Sequence, residues 1–448
     1  MLILMIGLNA CQKEFLDTKP NKALLVPQTL ADLRALLDNS QVFNRSPNIT
    51  MIADGDFFTT DAGLKTFFQD QERNSYTWQA DIYGSESAFE WSVAYQQIFY
   101  ANVVLNGLDK LSAGSEDAER RAVEGTALFH RAWVYYGLSQ LYCPPYAAST
   151  AAQDLGVPVR LDADVTRIEP RGTLEETYQQ MIKDLLRARR LLPASTVYNT
   201  RPAVPAALAL LARVYMARGD YDRAGRYADT ALRLSPALLD YNTLTATAAR
   251  PFPRAVPNGN AEILFYSASL TWTFSSSSAI AYCDSLLYRS FAANDLRRTV
   301  LFRDGGANKV NFKGSYTGVI SLFSGIATDE LYLMRAECRA RAGDAPGAIG
   351  DLNSLLVRRW KAGTFVPLVA GDADAALLLV LAERRKELVG RNMRWADLRR
   401  LNPDPRFAVT LVRNINGTTY TLEPGSKRYT YPLSADEVQL SGLAQNER

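Results

Sequence analysis

Ala206-Ala-Leu-Ala-Leu-Leu-Ala-Arg-Val-Tyr-Met-Ala-Arg-Gly-Asp-Tyr-Asp-Arg-Ala-Gly-Arg-Tyr-Ala-Asp-Thr-Ala-Leu-Arg-Leu-Ser-Pro236 reads as two helices joined by a tight turn. Leu211-Ala212 and Tyr215 mark the first helix, and Ala224 and Ala231 mark the second. Gly219 sits between them, where a residue without a Cβ can enter the left-handed conformation that ends a helix. Pro236 stops the second helix, because proline lacks the amide that helix continuation needs. These offsets are those of a tetratricopeptide unit. Small side chains at Ala212 and Ala224 are expected to face each other where the two helices approach most closely.

The same pattern recurs on either side. Glu330 to Trp360 places Ala336, Gly343-Asp344, Ala348 and Leu352 at matching offsets. A partial copy has Ala132 and Tyr135, and its second helix follows an insertion, Cys143 to Gly172. Trp91, Tyr95, Ile98, Phe99 and Asn102 keep helical spacing ahead of it. Thr173-Leu-Glu-Glu176 is a capping box: the Thr hydroxyl accepts from the first-turn amides and the Glu carboxylate reaches back. Leu174, Tyr178, Met181, Ile182, Leu185 and Leu186 then share a face until Pro193. The spacing predicts a mostly α fold, a tetratricopeptide-like repeat scaffold over about 87–236 and 328–360. Loop-rich segments with short β-hairpins are expected at about 40–86, 237–327 and 361–448. Asn416-Gly417 is a hairpin turn signal. Long irregular insertions on a rigid scaffold are where binding residues concentrate.

Composition narrows the chemistry. The 448 residues are 47% hydrophobic, enough for a packed core, and 50 basic residues against 47 acidic ones leave a net charge of +3. That balance gives no argument for a nucleic-acid partner, which calls for a concentrated basic face. One histidine, His130, cannot build a His-rich metal site, and its helical neighbourhood suggests packing or surface. Cys143, Cys283 and Cys338 form no CxxC pair, so neither a zinc ribbon nor a redox motif is present. Asp54, Asp56 and Asp61 do not complete an EF-hand, which needs a bidentate Glu at its twelfth position. No cofactor or metal is expected.

The start of the chain reads differently. Residues 1–11, Met-Leu-Ile-Leu-Met-Ile-Gly-Leu-Asn-Ala-Cys11, form an apolar run too short to span a bilayer, which needs about 20 residues. They read as the end of a signal peptide. Leu8-Asn9-Ala10-Cys11 resembles a bacterial lipobox, with Cys11 as the lipid-attachment residue. Acyl chains there would hold the body, residues 12–448, at a membrane surface. No Lys or Arg precedes the apolar run, although a signal peptide normally begins with positive charge; a start codon upstream would explain the difference.

Several landmarks together resemble the SusD/RagB family. Cys11, then Phe15-Leu16-Asp17 and Pro20, is similar to that family's beginning. Gly156-Val-Pro158-Val-Arg160, Asp184-Leu185, Leu191-Leu192-Pro193, Asp295-Leu-Arg297 and Asp329 to Glu337 follow in order. Glu383-Arg-Arg-Lys-Glu-Leu388 with Arg394-Trp-Ala-Asp-Leu-Arg399 resembles the late signature, and Tyr431-Pro-Leu433 to Leu443-Ala-Gln-Asn446 the ending. Arg391-Asn392 stands where the family usually has Glu-Gly. Asn tolerates a left-handed turn, whereas Arg391 removes a carboxylate and, with it, one family ion pair. The charges of the late signature read as ion pairs across turns and neighbouring helices rather than as an active site.

The resemblance implies a non-catalytic receptor, lipid-anchored on the outer surface of the outer membrane. It implies an oligosaccharide ligand, in some members a peptide, passed to a TonB-dependent SusC-like barrel. Sugars stack their C–H faces on flat aromatic rings while polar neighbours bind hydroxyls. Aromatics in loops are therefore the candidates: Trp78, Tyr83, Trp272 and Phe274, with Trp78 and Trp272 expected to share one exposed surface. The competing reading has each tryptophan plugging its own loop onto the helices. Trp91, Trp133, Trp360 and Trp395 follow core patterns. Two other functions stay open: an intracellular tetratricopeptide adaptor, in which Cys11 is incidental, and a glycoside hydrolase with two carboxylates about 5–10 Å apart.

Overall fold

A computed structural model describes residues 27–111, 118–276, 280–314 and 316–448; the Cys11 expectation lies outside them. Helices α1 (Phe89–Lys110), α2 (Ala118–Tyr142), α3 (Leu174–Leu191), α4 (Val204–Ala217) and α5 (Tyr221–Leu234) pack each on the next. Helices α6 (Thr328–Arg341) and α7 (Ala345–Leu356) continue the stack, with α6 against α5 although residues 235–327 intervene. The fold is mostly α and tetratricopeptide-like, with loop-rich insertions and short strand pairs.

Local chemistry explains the repeats. Gly219 ends α4 at φ +72°, and the Asp220 carboxylate accepts from the Arg223 amide at 3.0 Å to start α5. The second repeat uses the same device, with Gly343 at φ +87° and Asp344 accepting from the Gly347 amide at 2.9 Å. Ala212 and Ala224 are both fully buried on the paired helices α4 and α5. The capping box at α3 is formed: the Glu176 amide donates to Thr173 Oγ1 at 3.1 Å and the Thr173 amide to Glu176 Oε2 at 2.7 Å. The insertion after α2 is pinned to its helices. Tyr135 of α2 accepts from the Arg160 amide, and Arg131 reaches both Asp184 of α3 and Asn102 of α1.

The segment 361–448 is less loop-rich than its composition predicts. It contributes α8 (Ala373–Glu387), packed on α6 and α7, and α9 (Arg394–Leu401). The late signature spans these two helices. After them, Leu411–Ile415 and Thr418–Leu422 form a hairpin, and its Asn416-Gly417 turn has φ of +48° and +74°.

Short strand pairs tie the first loop segment to the central one. Arg45–Ser46 runs parallel to Ala268–Ser269, and Phe57–Phe58 pairs antiparallel with Tyr282–Cys283. One hydrophobic core extends from Ile49 to Leu443, joining the helical stack to these loops. Among the described residues no helix is long and apolar enough to cross a membrane.

Candidate functional site

The late-signature charges are consumed internally. Arg297 contacts Asp295 at 2.7 Å, Glu383 at 2.6 Å and Glu387 at 2.9 Å, and Arg359 contacts Glu387 at 2.7 Å and Glu262 at 2.8 Å. Arg384 pairs with Asp397, and Arg385 with Asp56. Each of these carboxylates already faces a guanidinium. Arg391 pairs with Asp329, and its guanidinium lies over the Tyr316 and Phe323 rings at 4.6 and 5.0 Å. Asn392 takes φ +58° and bridges Thr50 and the Pro47 carbonyl.

His130 is buried among Phe43, Phe129 and Phe265. Neither ring nitrogen has a hydrogen-bond partner among the described residues, and burial, then the Arg34 charge, pushes its pKa down to about 3. The three aspartates considered for calcium have other duties. Asp54 accepts from the Asp56 amide, Asp56 pairs with Arg385, and Asp61 accepts from the Asn416 amide.

The expected exposed aromatic surface is not formed. Trp78, Tyr83, Trp272 and Phe274 are 1%, 3%, 4% and 3% exposed. The Trp78 indole donates to the Ala53 carbonyl at 2.9 Å and lies 4.7 Å from the Arg413 guanidinium. Tyr83 shares a hydrogen bond with Tyr142, and Trp272 donates to Glu90 Oε1 at 3.0 Å. Their polar neighbours bind these loops to one another instead of leaving ring faces open. Glu72 makes the junction, accepting from Thr273 Oγ1 at 2.8 Å and from the Phe274 amide at 3.2 Å. The two loop segments do meet, but through a buried carboxylate. Of the other four tryptophans, Trp91, Trp133 and Trp395 are buried and Trp360 is half-buried.

What the loops enclose is a cavity of about 310 Å³. That lies at the lower end of the size range of small-molecule sites. Its lining includes the aromatic residues Phe57, Phe274 and Phe312 and the basic residues Arg250, Arg303 and Lys313. Phe274 sits on the short helix Thr273–Ser276, and Phe57, Arg303 and Phe312 sit on strands. Phe57 sits on the strand paired with Cys283. Phe312 sits on the hairpin Phe302–Asp304 with Val310–Phe312, edge-on to Phe57 at 5.7 Å. Gly390, at φ +71°, lies so close that a Cβ there would come within 2.6 Å of the Phe312 ring, so the signature turn sets that ring's position. Arg250 donates to the Lys313 carbonyl at 3.0 Å, and the Lys313 ammonium donates to the Ala246 carbonyl. Burial, and then the Arg303 charge, hold Lys313 below the usual lysine range. Ile320, 64% exposed, stands at the rim.

Two other spaces differ in kind. A cleft of about 60 Å³ beside Trp133, Tyr136 and Trp395 has room for a few waters. A groove of about 680 Å³ between Pro144-Pro145, Pro403 and Pro424 has Tyr429 as its one aromatic lining residue, and Tyr429 is 2% exposed. Phe274 is the one sequence candidate that lines the loop cavity. Phe57, Arg250, Arg303 and Lys313 carry no local signal, because pairing across more than 200 residues places Phe57 and a contact across 63 residues joins Arg250 to Lys313. The alternating run Lys309-Val-Asn-Phe-Lys313 was the available signal for Phe312.

The comparisons with known proteins agree with this architecture. Residues 14–216 match a SusD-like family described as starch-binding and associating with outer membrane, and residues 329–447 match the SusD family. SusD-like protein P2 of Formosa agariphila is 25% identical over 471 residues, 89% of each chain. A SusD superfamily protein from Bacteroides thetaiotaomicron superposes with a TM-score of 0.75 at 21% identity, covering 94% of this chain and 100% of that one. A SusD-like carbohydrate binding protein from Bacteroides vulgatus gives 0.70 at 20% identity, covering 93% and 97%. With both ends of the chain matched, the same helical fold and the ordered landmarks between them, the chain belongs to the SusD/RagB family.

Proposed function

We propose that the protein is a cell-surface nutrient-binding lipoprotein. It captures oligosaccharides, or peptides, and delivers them to a TonB-dependent SusC-like transporter in the outer membrane. Family membership supports the general role in glycan binding and nutrient uptake at the outer membrane. The observation that carries the reading on this chain is the loop cavity, whose lining combines aromatic residues with Arg and Lys side chains. That combination suits a ring with apolar faces and hydroxyl edges. Binding without turnover is the expected chemistry, since the signature carboxylates are held in ion pairs.

Titration of the soluble body against a panel of oligosaccharides and peptides tests the ligand. Ala249 is exposed at the cavity wall, so Ala249→Trp narrows the cavity without disturbing the core. Binding should fall at least about tenfold, on the scale of a lost interface anchor, with the melting temperature unchanged. Unchanged affinity would place the ligand elsewhere. Cys11→Ala should release the chain from the membrane fraction, and co-purification with a barrel protein tests the partner.

A further inference from the structure

Among the described residues three aromatic side chains are exposed, Phe68 at 84%, Tyr198 at 48% and Phe89 at 40%. Phe68 and Phe89 both adjoin the turn at Trp272-Thr273. The Phe68 amide donates to Thr273 Oγ1 at 3.3 Å, and the Phe89 ring stands at right angles to the Trp272 ring, with centroids 6.0 Å apart. Neither ring rides on a loose loop. Phe67, 1% exposed, anchors the chain inward beside Phe68, and its carbonyl accepts from Arg73 Nη1. The Asp70 and Gln71 amides donate to the two oxygens of Glu86 at 2.9 and 3.1 Å, just before Phe89 begins α1. A phenyl ring left in water forfeits the gain of burial, and here a pinned backbone holds it there.

The same turn reaches the loop cavity, since Phe274 and Ser275 line it. A cavity of about 310 Å³ takes only a short stretch of a saccharide, so a longer chain must pass out of it. Two rings are too small a patch for a stable protein interface, which buries about 800 Å² per partner. They suffice for a sugar, whose C–H face covers one aromatic ring. Asp70 and Thr271, both exposed, stand close by in the chain and offer partners for hydroxyls. We infer that Phe68 and Phe89 form an outer subsite, on which further pyranose rings of an oligosaccharide stack after leaving the loop cavity. The inference rests on the reading of that cavity as the ligand site.

The test is calorimetric titration of the full soluble body with paired short and long probes: maltotriose and maltoheptaose, cellotriose and cellohexaose, xylotriose and xylohexaose. For the glycan that binds, wild type should hold the long probe at least about tenfold more tightly than the short one, on the scale of one interface anchor. Phe68→Ala removes an exposed ring, so folding should be retained, and a thermal melt checks this. It should bring the long probe down to the affinity of the short one and leave the short one unchanged. Phe68→Tyr, which keeps a ring face, should bind as wild type does. Phe89→Leu should weaken the long probe alone. Equal binding of both lengths by wild type overturns the inference, as does long-probe binding that Phe68→Ala leaves intact; loss of the short probe in Ala249→Trp then keeps the cavity reading standing. Short-probe binding that survives Ala249→Trp overturns the cavity reading and the outer subsite with it. Unchanged glycan binding in Phe68→Ala, with loss of a co-purifying barrel protein, gives the patch to a protein partner and overturns the inference. Failure of every probe overturns it together with the glycan reading.

Discussion

At the scale of the residue, local backbone rules were readable and distant partners were not. The sequence rule that Asn accepts a left-handed turn is met by Asn392 at φ +58°. The partner of Arg391, in the turn after α8, has no local signal, because Asp329 lies 62 residues earlier on α6. The tryptophans show the same limit. Polar neighbours suggest exposure, but Thr273 donates to Glu72 and the Trp272 indole itself donates to Glu90. Trp272→Ala should therefore cost about 3–5 kcal/mol of stability, as for a large buried aromatic. A melting curve equal to wild type would argue against this packing. His130 carries a pH prediction. Its pKa is about 3 folded against 6.5 in the unfolded chain, so below pH 6.5 the unfolded chain binds the extra proton. Its contribution is complete above pH 6.5 and is lost as pH falls toward 3, at up to about 1.4 kcal/mol per pH unit. His130→Leu should flatten the acid limb of a denaturation series; an unchanged limb would assign that sensitivity to other groups.

At the scale of the element, sequence was most informative where period, cap and stop coincide. Thr173 and Glu176 announce α3, and Gly219-Asp220 divides α4 from α5, because each device acts within a few residues. Helix α8 was harder to place. Its apolar stretch is followed by charges whose partners come from other segments, so composition alone reads as surface or loop. The repeat assignment predicts a tight contact at Ala212, fully buried on α4. Ala212→Leu should overpack it and cost roughly 1–3 kcal/mol. Chemical denaturation measures this, and an unaltered midpoint would remove Ala212 from the close approach.

At the scale of the whole molecule, the order of landmarks gave the family, and the cavity stayed hidden. A cavity lined by residues as far apart as Met51, Arg250, Phe274, Arg303 and Leu322 has no contiguous motif. Between Phe274 and Arg303, the charge cluster around Arg297, whose side chain is 1% exposed, ties the chain to α8. Arg297→Ala leaves Asp295, Glu383 and Glu387 without their shared cation and should cost about 3–5 kcal/mol. A much smaller loss in calorimetry would show that the acids find other partners. The same cluster has a consequence for how the chain comes to exist. Phe57 waits for Cys283, and Arg297 waits for Glu383 and Glu387 on a helix made near the end of synthesis. Helices α4 and α5 need only each other to begin, whereas long-range pairings close late. Pulsed hydrogen exchange during refolding should protect α4 and α5 before Phe57–Phe58 and Tyr282–Cys283; simultaneous protection would refute this order. A newly made chain would then acquire its backbone shape first and its loop cavity last, so an interrupted chain would be a stack of helices with that hollow unbuilt.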